Sequence, residues 1–141
     1  MNNALRKKAI GKVTGLQVGF TNDFVVMDNG TWRALTATEN TSVDVEYQIL
    51  VFNETKTTYE KALSDHLDTQ AQVRGYDTIH TASLRAALVN SPFHDEGVAY
   101  GTWMDMCNAK GYEILSQVQV GTIALPTVEE FILMLPVLVL P

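Results

Sequence analysis

The sequence predicts an α+β fold: a small N-terminal antiparallel β-sheet or open barrel, followed by a helical C-terminal part of three to four helices. Three observations predict it. Apolar and polar residues alternate between Lys12 and Phe52, the period of a strand with one buried face. Asn29-Gly30 interrupts that pattern with the dipeptide best suited to a two-residue hairpin turn. From Thr57 onward the apolar spacing changes to three and four residues, the period of a helix. The implied organisation is a basic arm (1–11), a β region (12–53), a helical region (54–135) and an apolar tail (136–141).

Residues 1–10 read as an arm or short helix. Leu16, Val18 and Phe20 then alternate with Gln17 and Gly19, and two further apolar runs, 24–28 and 31–36, flank Asn29-Gly30. Val43, Val45, Tyr47, Ile49 and Val51 alternate with Asp44, Glu46 and Gln48, which predicts a fourth strand with one buried face. Gly11, Gly15 and Gly19 fall within the strand pattern. Thr57-Thr58-Tyr59-Glu60 has the form of a capping box and predicts a helix start. Tyr59, Leu63, His66 or Leu67, Gln70 and Val73 follow at helical spacing, and Gly75 supplies a left-handed stop.

A second helix is predicted over residues 78–89. A third starts at Ser91-Pro92, with Ser as cap and Pro at the first helical position, and runs to about Val120. Asp95 and Glu96 occupy its first turn, where the helix dipole favours anions. Gly97 and Gly101 leave room for another backbone. The predicted helical core comprises Trp103, Cys107, Tyr112, Ile114 and Val118. A short helix starts at Thr127-Val128-Glu129-Glu130 and ends before Pro136.

The length of 141 residues fits one domain or two small halves. Hydrophobic residues make up 46%, enough for an ordinary core, while the charged fraction of 18% falls below the roughly 25% of typical globular domains. That deficit suits a surface partly covered by other subunits and equally a compact monomer rich in Thr and Asn. Arg6, Lys7, Lys8 and Lys12 precede every acidic residue, and the rest of the chain is strongly acidic within a net charge of −6. An acidic body argues against nucleic-acid binding, which needs clustered cations on the folded surface. The basic segment instead suits an acidic neighbour or a solvated position. The single cysteine, Cys107, excludes an intrachain disulfide and fits folding in a reducing compartment. No secretory signal follows Arg6-Lys7-Lys8. The apolar run 131–140 is about half a bilayer span, so no membrane insertion is expected.

Candidate chemistry is sparse, and no cofactor is expected. His80, His94, Asp95 and Glu96 invite a metal reading, yet neighbouring helix positions point in different directions and cannot converge on one ion. His66 beside Asp65 and Asp68 reads as an exposed helix face. Cys107 shares an apolar stripe with Trp103 and Ile114, where a thiol behaves as a small hydrophobe. Neither a Gly-x-Ser-x-Gly elbow nor a glycine-rich phosphate loop occurs. Tyr100, Trp103 and Tyr112 could form a stacking platform, but at helical spacing they read as core. No catalytic or metal residue is assigned, and the chain reads as non-enzymatic.

The tail is different. Val137, Leu138, Val139 and Leu140 follow Pro136, which stops the preceding helix. Exposed, they would be prone to β-aggregation, so they either fold back or pair with another chain as an added strand. The predicted partner-binding residues are these four, together with Arg6, Lys7 and Lys8.

Arg74-Gly75-Tyr76-Asp77, Trp103 with Cys107 one turn on, and Tyr112-Glu113-Ile114-Leu115 occur in that order. Gly121, Leu125-Pro126-Thr127-Val128-Glu129-Glu130 and a final Leu135-Pro136 follow. This succession resembles a C-terminal segment of small proteins of tailed bacteriophages, encoded near tail and tail-fibre genes; it covers less than half the chain. The resemblance implies a structural component of the virion in the tail, neck or fibre-attachment region, made in the bacterial host cytoplasm. Its implied partners are other phage structural proteins, such as tail or fibre components, with homo-oligomerisation in the assembly. Two rival readings are a tail-fibre assembly chaperone absent from the mature particle and a receptor- or glycan-binding module.

Overall fold

The structure, a computed structural model, describes residues 2–141. It is α+β: a three-stranded antiparallel sheet that does not close, followed by a mostly helical region. The chain divides into two compact units, Met1–Thr55 and Lys56–Pro141.

In the first unit, α1 (Asn3–Thr14) is a well-terminated helix, where the sequence suggested an arm or short helix. The Asn2 side chain accepts from the Leu5 amide at 3.2 Å, and Gly15 ends the helix at φ 67° with its N–H on the Gly11 carbonyl. Gly11 and Gly15 therefore belong to this helix and its cap. Strands β1 (Gln17–Phe20), β2 (Phe24–Asp28) and β3 (Thr31–Ala34) form the meander β1-β2-β3. Asn29 at φ 50° and Gly30 at φ 79° supply the two positive-φ positions that the β2–β3 turn requires. Val18 pairs with Val26 and Val26 with Arg33. Ala9, Ile10, Val26 and Val43 form the buried cluster, with Val18, Phe24, Tyr47 and Leu50 packed against it.

The predicted fourth strand is a helix. Val43–Val51 lies inside α2, Ala37–Val73, and the β region shrinks to the three strands between residues 17 and 34. The alternating apolar residues contain two helical stripes, which explains the misreading. Val43 is buried and Tyr47 and Leu50 pack beside it at spacings of four and three, whereas Val45 and Ile49 are 60% and 46% exposed. The capping box that starts α2 is Thr36-Ala37-Thr38-Glu39. The Glu39 amide donates to Thr36 Oγ1 at 3.1 Å, and the Thr36 amide donates to the Glu39 carboxylate at 2.9 Å. Thr57-Thr58-Tyr59-Glu60 sits in the middle of α2 and starts nothing.

Arg33 reinforces that start. It donates to Asp28 at 2.9 Å and with two nitrogens to Glu39 at 2.7 and 3.1 Å. The guanidinium bonds, followed by the Thr36 amide, hold the Glu39 carboxyl down at about 2.

In the second unit, α2 presents Tyr59, Leu63, Leu67 and Ala71 as a buried stripe at every fourth residue. It stops at Gly75, φ 85°. The predicted second helix is shorter: α3 spans Ile79–Ser83 and gives way to a 3₁₀ turn, Leu84–Ala87. No apolar stripe sustains it, since Leu84, Leu88 and Val89 face outward. Helix α4 covers His94–Gln119. Ser91 and Pro92 do not cap it; they form a preceding turn in which Ser91 Oγ accepts from the Phe93 amide at 3.1 Å. Gly97 lies against the 3₁₀ turn so closely that a Cβ there would come within 2.4 Å of the Ala86 nitrogen. Gly101 has no such neighbour, its nearest being Ser83 Cβ at 3.7 Å. The expected close approach exists at Gly97 alone.

Helix α5 spans Val128–Leu133 with a complete Thr127–Glu130 capping box. Its Phe131 ring stacks on Tyr59 with centroids 4.4 Å apart. Of the predicted core, Trp103, Cys107 and Ile114 are buried, and Val118 is half-buried. Tyr112 is 64% exposed, a correction with a geometric cause. It follows buried Gly111 directly and so lies about 100° around the helix from it.

Candidate contact site at the C-terminal segment

Helix α5 fixes where the tail begins. Its capping box sets the first turn, and Phe131 and Leu135, four residues apart, are 1% and 6% exposed. Pro136 cannot continue the helix and leaves its carbonyl oxygen facing α4. That oxygen accepts from Trp103 Nε1 at 2.7 Å and from the Cys107 thiol at 3.8 Å.

Beyond Pro136 the chain belongs to no helix or strand. Leu138 and Leu140 are half-buried, while Val137 and Val139 are 83% and 79% exposed. This is the alternation of a strand with one face on the protein and the other in solvent. Among the described residues, the backbone amides of Val137, Leu138, Val139 and Leu140 make no hydrogen bond. The tail is thus partly folded back and still presents an apolar face and an unpaired backbone edge.

A cavity of about 460 Å³ adjoins it, with His66, Gln70 and Trp103 on one side and Pro136, Leu138 and Leu140 on the other. His66 meets the Trp103 ring edge-on at 5.7 Å. Burial pushes its imidazole below its ordinary value. The sequence reading placed His66 on an exposed face, and its partly buried position beside Trp103 corrects that.

The other predicted partner-binding residues lie on α1 in the first unit. Arg6 is committed within the chain, paired with Asp44 of α2 and 3.4 Å from the Asn40 side chain. Lys7 and Lys8 are exposed. Lys12 also finds an acidic partner on α2, Glu46. The acidic neighbour expected for the basic segment is therefore, for Arg6 and Lys12, the protein's own second helix.

Glu96 is held by Arg74 at 3.0 Å and by the Tyr76 hydroxyl at 2.9 Å, which joins the Arg-Gly-Tyr-Asp stretch to the start of α4. His80 and Asp95 are exposed. Among the described residues, no three His, Cys, Asp or Glu side chains are placed to hold a metal ion. The Tyr100 hydroxyl is buried without a partner. Burial pushes the Cys107 thiol up to about 11, and the thiol donates to the Pro136 carbonyl oxygen at 3.8 Å. Tyr100 and Trp103 are buried while Tyr112 is exposed, so the three rings form no shared platform. No helix among the described residues is long and apolar enough to cross a membrane.

Sequence reasoning paired Trp103 with Cys107 but missed that both meet the Pro136 carbonyl. The available signal was the spacing of four between Trp103 and Cys107, which aims both at one spot beside the helix. No known protein family, no curated protein and no solved structure matches this chain.

Proposed function

We propose that the chain is a non-enzymatic structural component of a tailed-phage virion, in the tail, neck or fibre-attachment region, and that it acts through protein–protein contacts. The phage setting comes from the resemblance of the segment between Arg74 and Pro136. The contact role is carried by one observation: an apolar tail outside any helix or sheet, with amides that make no hydrogen bond among the described residues and two valines about four-fifths exposed. An unpaired strand edge recruits another strand, because main-chain hydrogen bonds give affinity and alternate side chains give specificity. The occupant that fits is an extended, apolar segment of another structural protein of the particle. Such a strand would lie beside Val137 and Val139 and seal the tail edge. The protonated, buried thiol and the ion-paired Glu96 add no reactive group to this picture.

The test is mass spectrometry of purified particles produced from the genome that encodes the chain, alongside the same genome lacking codons 137–141. The reading expects the intact protein at stoichiometric level and the shortened one depleted from particles. Abundance in lysates with absence from particles would overturn the virion assignment and favour the assembly-chaperone alternative. Equal incorporation of both forms would overturn the role of the tail.

A further inference from the structure

Trp103 and Cys107 sit one turn apart on α4, 4% and 0% exposed, and their two donors converge on one acceptor. That acceptor, the Pro136 carbonyl oxygen, receives the indole N–H at 2.7 Å and the thiol at 3.8 Å. A carbonyl oxygen has two lone pairs and accommodates both. The convergence falls at the boundary between fixed and free backbone. On the upstream side, Phe131 and Leu135 are buried and the Leu135 amide still bonds to the Ile132 carbonyl at 3.2 Å. On the downstream side, no backbone hydrogen bond restrains residues 137–140 among the described residues.

Proline narrows the choice further. Its ring fixes φ near −65°, so a tether on the carbonyl of the same residue restricts ψ, the remaining soft dihedral. The direction of the tail is then set by a buried indole and a thiol on another helix.

We propose that Trp103 and Cys107 form a latch on the Pro136 carbonyl that presents the tail in its partner-ready direction. The two are positioning residues: they touch no partner themselves, and they act through Pro136. An edge held ready in its bound conformation loses less freedom when a second strand docks, which is how preorganisation raises affinity. Burial keeps the Cys107 thiol protonated, as a donor here requires. The purpose of the latch rests on the reading of the tail as a contact segment, whereas its existence does not.

The test therefore reads tail order without any partner. A nitroxide placed at residue 139 through Val139→Cys, labelled briefly while buried Cys107 stays unreacted, reports tail mobility. Trp103→Phe keeps an aromatic ring in the core and removes the N–H. The latch expects the mobile fraction at residue 139 to rise roughly fivefold, the factor equivalent to losing about one ordinary hydrogen bond, with the helical circular dichroism unchanged. Unchanged mobility in the folded variant would overturn it.

A second measurement on the unaltered chain needs no variant to fold. Deuterium exchange at the Trp103 indole should be slow, with exposed Trp32 as the fast control. It should also shift the carbonyl carbon resonance of Pro136. A Pro136 resonance insensitive to that exchange would overturn the latch whatever the variants do. A latch confirmed in a protein whose tail proves dispensable for incorporation would leave the geometry standing and sink only the contact role.

Discussion

Substituting Gly97 and Gly101 by alanine, one at a time, should move stability in opposite directions, although the two residues lie one turn apart on α4. At Gly97 the new Cβ would stand 2.4 Å from the Ala86 nitrogen and 2.8 Å from the Arg85 carbonyl carbon. Both are backbone atoms, so no side chain can swing aside and the 3₁₀ turn must move away from the helix. Forcing an extra methyl into a packed site costs about 1–3 kcal/mol, and an obstructing backbone puts this site at the upper end. Alanine recovers up to about 1 kcal/mol of helix propensity, leaving a net loss of about 2 kcal/mol. At Gly101 the nearest atom is 3.7 Å away, an ordinary contact, so the propensity gain of about 1 kcal/mol stands alone. For a chain of this size, about 1 kcal/mol corresponds to roughly 3–5 °C in Tm. Urea denaturation and differential scanning calorimetry of the two variants would read these shifts. A Gly97→Ala protein as stable as the parent, or a Gly101→Ala protein equally weakened, would refute the close-approach argument.

Three further outcomes follow from the same geometry. Thr36→Ala should cost about 1 kcal/mol, the usual worth of a side-chain cap; an unchanged stability in urea titrations would contradict the reassigned start of α2. The Glu39 carboxyl is held at about 2 against an ordinary 4.5. Its ion pair therefore supports the fold fully above pH 4.5 and loses that support as pH falls towards 2. Glu39→Gln should flatten the acid side of the stability profile in that window, and an unchanged profile would remove Arg33–Glu39 from the account. Cys107 should react with a thiol reagent far more slowly in the native protein than in urea; fast native labelling would reopen a chemical role for it.

Much of the fold was legible where local chemistry and tertiary packing agree. Asn29-Gly30 made its turn, Thr127-Val128-Glu129-Glu130 capped α5, and Gly75 stopped α2 because each needs only neighbours in sequence. The Val43–Val51 run failed because an alternating pattern on a helix fills two stripes at once, Val43 with Tyr47 and Val45 with Ile49. Two signals favoured the helix. A capping box stands at Thr36–Glu39, and no glycine or proline interrupts the chain between Gly30 and Gly75, whereas a strand followed by a helix would need a turn. At the candidate site, the apolar tail and the buried Trp103 and Cys107 were readable from composition and spacing. Their meeting at the Pro136 carbonyl was not, because a contact spanning 33 residues leaves no local pattern. The exposure of Tyr112 was lost for a simpler reason: an aromatic residue beside a helical stripe looks like part of it.

The central claim is that residues 137–141 serve a contact, not the core of their own domain. Leu138 and Leu140 are only half-buried, so together they contribute roughly 2–3 kcal/mol of apolar burial. The conformational entropy lost in ordering the segment offsets that gain, so its removal should be nearly neutral for the isolated fold. The decisive measurement is the chain ending at Pro136, compared with the full chain by calorimetry and by incorporation into particles. The account predicts a Tm within a few degrees of the parent and strongly reduced incorporation. A shortened chain that unfolds, beside a full-length protein that is a stable monomer, would place the tail in its own core and contradict the account.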